Sequence, residues 1–393
     1  MNIVIAGGGF GGVKSALELA KDSRNKVTLI SDKSYFQYYP ALYSTATGRS
    51  HLQSWVPLDE IFAGYNNIVT VLDSIVGVDP EVNVVQLASD RKIDYDICIL
   101  ALGTVTTFFG IEGLDRYAYG IKSVDEIKKL KQHLYEEMGK NHEFDKHYIV
   151  VGAGPTGVEL SAALGSYLER LRIHYGLKKH KLHINLIEAA PRVLPRMSPS
   201  LSRKVQKRLE KLGVKVQTNK RIELENGDDI VVNGEPIKSH TVIWTSGVAN
   251  HPFYKANQQY FQFAPNGRVI VDSFMMVTKG LYVIGDNAAT PFTGLAQTAQ
   301  HDAIFIAKNI KRLQDQRSPK PYKAVIPASA VPVGENWAVF EWRGLRVTGI
   351  AASLIRRAAD FIGYSEMLRF AQALSVWRAQ TIIEDDDEIP NNK

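Results

Sequence analysis

Two glycine clusters carry the first chemical signal in this chain. Gly7, Gly9 and Gly12 in IVIAGGGFGG, and Gly152, Gly154 and Gly157 in YIVVGAGPTG, both follow the spacing G-x-G-x-x-G. The first glycine permits a tight turn, the second lets a diphosphate approach the backbone, and the third lets a helix pack on a strand. The following helix turns free N–H groups and the positive end of its dipole toward phosphate. Each motif is trailed by an acid suited to ribose hydroxyls: Asp32 of the Ser31-Asp32 pair, and Glu188 at the end of KLHINLIE. A carboxylate at 188 favours the 2′-hydroxyl of NADH over the 2′-phosphate of NADPH. Arg192 could reach such a phosphate, so NADPH stays open as the less favoured donor. Two units in one chain imply two dinucleotides held face to face, as hydride transfer between cofactors requires. A third signal, TKGLYVIGDNA, is a strand ending at Gly285-Asp286, with a helix expected from about Gly294. There Asp286 would accept hydrogen bonds from the ribityl chain of a flavin, and the helix N-terminus would face the edge where charge builds up on reduction.

The elements that must position these groups follow from the pattern. IVIA is a β-branched run of the kind buried in parallel sheets, VKSALELAK has helical periodicity, and KVTLIS is the next strand. The same order recurs after residue 147. The expected class is α/β: two Rossmann-like dinucleotide-binding domains, one inserted in the other, plus a small C-terminal α+β and amphipathic-helix region. The expected boundaries are 1–112 and 272–325 for one domain, 113–271 for the inserted one, 326–383 for the C-terminal region and 384–393 for an acidic tail. Residues 325–348 read as two or three short strands with turns at Pro332 and Gly334. A helical pattern follows. Ile350, Leu354, Ala358, Phe361 and Ile362 fall on one arc, and Arg356, Arg357 and Asp360 on the other. This suits a helix lying in a membrane interface over residues 350–380, its arginines meeting anionic head groups. A helix docked on its own domain, or on a second copy in a homodimer, is the alternative.

Composition narrows the chemistry. The 393 residues are 45% hydrophobic and 22% charged, as in a folded protein of more than one domain. Cys98 is the single cysteine, so an internal disulfide, a thiolate metal cluster and a paired-cysteine redox centre are excluded. Redox chemistry must come from a bound cofactor, and no metal site is expected. The net charge of +6 would suit an anionic membrane surface, and no nucleic-acid motif accompanies it. The N-terminus runs directly into a strand without a leader, and no apolar run reaches the roughly 18 residues of a spanning helix. A cytosolic start and no membrane span are therefore expected.

Several segments together resemble one family. YFQYYPALYSTATG (Tyr35 to Gly48), IDYDICILALGT (Ile93 to Thr104), FFGIEG (Phe108 to Gly113), VIWTSGV (Val242 to Val248) and LAQTAQHDA (Leu295 to Ala303) join the glycine motifs in a pattern that resembles the type II NADH:quinone dehydrogenases, across residues 1–325. The resemblance implies FAD at Gly7, Gly9, Phe10, Gly11, Gly12, Ser31, Asp32, Lys33, Pro40, Ile75, Ala101, Gly103, Gly285, Asp286, Leu295 and Ala296. It implies NADH at Gly152, Gly154, Pro155, Thr156, Gly157, Glu188, Ser246 and Gly247, with Glu159 beside them. Glu159, Gln297 and His301 are the implied catalytic residues. Three positions depart from the family pattern: His301 stands for a final glutamine, Ala163 for a second glutamate, and Ser31 for the usual acid. His301 is read either as a proton relay to quinone or as a hydrogen-bonded helix histidine. The implied activity passes a hydride from NADH to FAD and two electrons to a membrane quinone, without proton pumping, at the cytoplasmic face of the cell membrane. Sulfide:quinone and disulfide-reductase chemistry falls for want of a second cysteine. A soluble reductase feeding an iron–sulfur protein, and a redox-sensing flavoprotein acting through a partner, remain as alternatives.

Overall fold

The computed structural model describes residues 1–384. Of the acidic tail, only Glu384 lies among them; the remainder of that segment is outside the described residues. The first half lays down four parallel strands: β1 (Asn2–Ala6), β2 (Lys26–Ser31), β3 (Ile68–Leu72) and β4 (Ile97–Leu100). A second sheet follows, with β5 (Tyr148–Val151), β6 (Ile184–Ile187), β7 (Val214–Gln217) and β8 (Thr241–Trp244). The chain then returns to the first sheet with β9 (Met276–Thr278) and β10 (Leu281–Val283). The first sheet runs β9-β10-β4-β1-β2-β3 and the second β7-β6-β5-β8. All pairings are parallel except β9 with β10. Both sheets therefore belong to α/β domains, the second built wholly from residues between the two contributions to the first.

The β-branched runs form these strands because both faces are covered. Ile3, Ile5, Leu29, Ile99 and Val283 are fully buried in one sheet, and Ile149, Val150, Leu186 and Val242 in the other. Each such side chain contributes about 1.5–3 kcal/mol by leaving water. Helix α1 (Phe10–Leu19) opens directly from the first glycine turn and α2 (Pro155–His174) from the second. Helix α3 (Ala296–Gln314) packs along α1 and closes the first domain. A two-stranded antiparallel link, Thr104–Thr106 with Val248–Asn250, ties the crossings between the halves together.

The C-terminal region is an antiparallel meander, β11 (Ser329–Pro332), β12 (Ala338–Trp342) and β13 (Leu345–Gly349). The long helical pattern after it divides into α4 (Ile350–Ser365) and α5 (Phe370–Ala379). Helix α4 carries two opposed stripes at i, i+4 spacing. Ala352, Arg356, Asp360 and Tyr364 face the protein, whereas Ile350, Leu354 and Ile362 are 68%, 63% and 61% exposed, with Phe370 of α5 at 71%. Arg356 and Asp360 do fall opposite the apolar stripe, but this corrects the expectation that Arg356 meets head groups. Burial of both is possible because they neutralise one another (Arg356 Nε to Asp360 Oδ2, 3.0 Å). Arg357 alone of the three stays exposed, its guanidinium 5.2 Å from the Trp377 ring centre. Among the described residues no helix is long and apolar enough to cross a membrane.

Candidate functional site

The two glycine turns have nearly the same geometry. Gly7 (φ +112°) and Gly152 (φ +102°) adopt backbone that side chains rarely tolerate. Their N–H groups donate to the strand next door, Gly7 to Ile30 O and Gly152 to Ile187 O, both at 2.8 Å. A methyl group on Gly12 would land on the Gly7 carbonyl oxygen, and one on Gly157 on the Gly152 carbonyl oxygen. At Gly9 and Gly154 a Cβ would meet nothing within 4 Å. The turns are thus tight where helix meets strand and open where a ligand would lie. Pro155 and Thr156 start α2, and no side chain caps the N-terminus of α1 or α2. Buried helix ends leave N–H groups in need of acceptors, and phosphate oxygens fit that need. Around the first turn, Phe10 packs edge-on against Phe36, Gly11 touches Ile284, and Ala101 is buried beside Gly7. Ile75 is buried in a small antiparallel sheet (75–79, 84–87, 92–94).

A third wall comes from the returning chain. Ile284 N–H donates to Leu100 O at 3.0 Å, setting Gly285 (φ +66°) beside Gly103. Asn287, which the sequence reading did not single out, joins the two turns. Its Oδ1 accepts from Gly103 N–H (2.8 Å), and its Nδ2 donates to Gly103 O and Asn250 Oδ1 (both 2.6 Å). Asp302, also missed, accepts from Gly285 N–H (3.0 Å) and Tyr322 OH (2.6 Å). Burial pushes its carboxyl up to about 6. Burial likewise raises the Asp286 carboxyl, opposed by Arg268, the Gly294 N–H and Arg196. Leu295 precedes Ala296, the first residue of α3, and this helix also starts without a side-chain cap.

The expected ribose acids differ. Ser31 is buried, its hydroxyl donating to Lys33 O (2.8 Å), whereas Asp32 is exposed. Glu188 spends each oxygen on a backbone donor, Oε2 on Ala153 N–H (2.6 Å) and Oε1 on Ala190 N–H (2.7 Å). Each oxygen keeps a further lone pair for a hydroxyl. Arg192 is consumed by the fold: its guanidinium donates to Leu194 O, Pro195 O, Met197 O and Ser202 Oγ. Ser246 lies against Gly152, and Gly247 (φ +66°) accepts from Lys122 Nζ at 3.1 Å.

Glu159, on the first turns of α2, is buried at the meeting point of four segments. Arg356 reaches it from α4 (Nη1 to Oε1, 3.1 Å) and also donates to Pro40 O (3.0 Å) and Ala330 O (2.8 Å). Burial pushes the Glu159 carboxyl up to about 7 against the pull of Arg356. Burial works against the Arg356 charge, but Asp360 and Glu159 outweigh it and hold the guanidinium protonated. Tyr38 OH donates to Asp360 (3.2 Å), completing the cluster. Gln297 exchanges two hydrogen bonds with the Ala328 backbone (3.3 and 3.1 Å). His301 Nε2 lies 2.9 Å from Lys323 O, so that nitrogen carries its proton toward a carbonyl. Gln300, between them in sequence, has a buried amide nitrogen without a hydrogen-bond partner among the described residues. Cys98 is fully buried in β4, and burial pushes its thiol up, so it is no nucleophile.

The comparisons agree with this arrangement. The profile of the pyridine nucleotide-disulphide oxidoreductase family matches residues 1–303. The type II NADH:quinone oxidoreductase of Staphylococcus epidermidis is 26% identical over 381 residues, 91% of this chain and 94% of that protein. Its Staphylococcus aureus counterpart is 26% identical over 380 residues, again 91% and 94%. Among solved structures, NDH2 from Plasmodium falciparum in complex with NADH superposes with a TM-score of 0.85 at 19% identity, covering 96% of this chain and 97% of that one. The sulfide:quinone oxidoreductase of Aquifex aeolicus follows the same fold (TM-score 0.78, 20% identity, 96% and 91%). With two glycine turns, a returning Gly-Asp strand and a family match over three quarters of its length, the chain belongs to the pyridine nucleotide-disulphide oxidoreductase family.

Proposed function

We propose that this chain is an FAD-dependent NADH:quinone oxidoreductase of the type II kind, working at a membrane surface without pumping protons. The observation that carries the reading is the pair of matched glycine turns with the Gly285-Asp286 turn set beside the first. The residues fit the cofactor: Gly9 leaves open space, two helices start without a side-chain cap, and a partly buried carboxylate stands ready for hydroxyl donors. FAD, when bound, supplies the chemistry of accepting a hydride and releasing two electrons to quinone.

The protein supplies the rest. The α1 and α2 N-termini gather diphosphates, and the α3 N-terminus stabilises negative charge at the reacting end. Asp286 would accept hydrogen bonds from the ribityl hydroxyls. Glu188 takes ribose hydroxyls and repels a 2′-phosphate, and Arg192, held by four protein acceptors, gives that phosphate no partner. NADH is thus the favoured donor. Glu159 holds or releases a proton near neutral pH beside Pro40, at the end of the cleft that α4 covers. Gln297 orients the strand leading to β11, and His301 tethers residue 323 rather than relaying protons. The domains divide at 112, 271 and 325. The stripe Ile350, Leu354, Ile362 rests with Phe370 in the lipid interface, at the cytoplasmic face.

The decisive experiment purifies the protein, reduces it anaerobically with NADH, and reoxidises it with quinones or with small iron–sulfur proteins in turn. Bleaching by NADH and rapid recovery with quinone is the expected result. Recovery only with a protein carrier would replace quinone by that carrier. A colourless preparation that FAD cannot reconstitute ends the proposal.

A further inference from the structure

Two guanidinium groups converge at the cleft without a carboxylate hydrogen-bonded to either. Arg196 belongs to the loop after Glu188, in the second domain; Arg268 belongs to the segment before β9. Both come against Gly294, where a Cβ would lie 3.4 Å from Arg268 Nη2 and 3.8 Å from Arg196 Nη1. Arg268 donates Nε–H to the Asp286 backbone carbonyl (3.0 Å), and among the described residues its Nη groups and the whole Arg196 guanidinium have no acceptor. Asp286 is the carboxylate near both, so two cations stand over one partly buried acid. Arg268 is half-buried and Arg196 exposed; like charges placed together repel, and an anion between them relieves the repulsion.

The loop that presents Arg196 is built for the purpose. Leu194 is a buried non-glycine residue at φ +46°, a strained conformation. Its N–H donates to Ala153 O (2.8 Å), which fastens the loop to the second glycine turn, and Arg192 clamps it through Leu194 O and Met197 O. Arg196 is therefore fastened to the second glycine turn, whereas Arg268 is fastened to the returning chain, through its own bond to Asp286 O and through Val269 N–H to Asn287 O (2.8 Å). We propose that Arg196 and Arg268 form a clamp, one arm fixed to the second glycine turn and the other to the returning chain, that closes on the diphosphate of the incoming nicotinamide dinucleotide and sets its depth over the flavin. The inference rests on the reading of the chain as an NADH-oxidising flavoprotein. Guanidinium forks match phosphate oxygens in pairs, which a lysine does not reproduce.

The test measures binding by calorimetry to the flavin-loaded protein, with ADP-ribose as a diphosphate probe and adenosine as a probe without one. Thermal melting confirms that each variant is folded. In Arg196→Gln and Arg268→Gln, ADP-ribose affinity falls on the order of tenfold each, and its salt dependence flattens, while adenosine binding and flavin content stay as in the unaltered protein. Arg196→Lys and Arg268→Lys recover part of the loss. Unaltered ADP-ribose binding in both glutamine variants overturns the clamp and leaves the proposed function standing. Loss of flavin with ADP-ribose binding retained overturns it too, by assigning the pair to the other diphosphate. Failure of the unaltered yellow protein to bind ADP-ribose or NADH at all would instead remove the functional reading itself.

Discussion

The two glycine turns are near copies, yet what closes over them differs. The first is backed by a returning strand, the Asn287 link to Gly103 and the whole of α3, so the turn at Gly103 and the returning chain together wall it in. The second, among the described residues, is closed by the Leu194 loop and the turn at Thr245, Ser246 and Gly247. Equal cradles under unequal covers suit unequal residence: a cofactor that stays and a substrate that comes and goes. The ribose acids point the same way, since Glu188 is fixed by two backbone donors and keeps a lone pair on each oxygen, whereas Asp32 stands exposed beside a buried serine.

The comparison breaks if the two third glycines respond alike. Gly12→Ala drives a methyl into the Gly7 carbonyl and is expected to yield colourless protein; Gly157→Ala does the same at Gly152 and should give yellow protein that NADH no longer bleaches. Overpacking of 1–3 kcal/mol corresponds to losses of up to about 100-fold, read by flavin content and anaerobic titration. On stability rather than on cofactor binding, the largest effect belongs to Arg356→Met, which leaves Glu159 and Asp360 without their cation. A loss of about 3–5 kcal/mol in denaturant melts is expected, and the Glu159 titration should move further upward. Glu188→Gln should weaken NADH by roughly tenfold without a matching gain for NADPH, because Arg192 remains engaged. The ratio of kcat/KM values for the two donors decides it.

A smaller effect sharpens the role of Glu159. Its folded-state carboxyl titrates near 7, above its ordinary value, so the fold prefers the protonated form. That contribution to stability is complete below about pH 4.5 and is lost as pH rises through about 7. The Tm should therefore fall between about pH 4.5 and pH 7 and level off above, and Glu159→Gln should flatten the fall. Least of all, His301→Ala should cost about 0.5–1.5 kcal/mol for one hydrogen bond and leave the pH profile of quinone reduction unmoved. A displaced profile would restore His301 as a relay.

The glycines, their strands and the Gly285-Asp286 turn were legible because each motif is local: a few adjacent residues contain the reason for their own conformation. The Asn287 link and the Glu159–Arg356 pair were not, since the partners lie 184 and 197 residues apart and nothing near either one marks the other. The faces of α4 show a subtler limit. Periodicity separated an apolar stripe from a charged one, but could not tell that of the two arginines expected at head groups only Arg357 is exposed. An arginine and an aspartate four residues apart neutralise each other, so charge alone does not fix which side meets water. The break at residues 366–369 was hidden for a related reason: the residues on either side keep helical spacing, and the turn is set by Met367 and Leu368 packing into the core.

That inward ion pair has a consequence for how the molecule behaves away from lipid. Because α4 is riveted to the two domains through Arg356, its attachment owes nothing to a bilayer, and the greasy outer stripe stays on display whether or not acyl chains are there to receive it. Detergent, lipid or a second copy would all find the same preformed sole, so solubility and folding of this protein are governed by opposite sides of one helix.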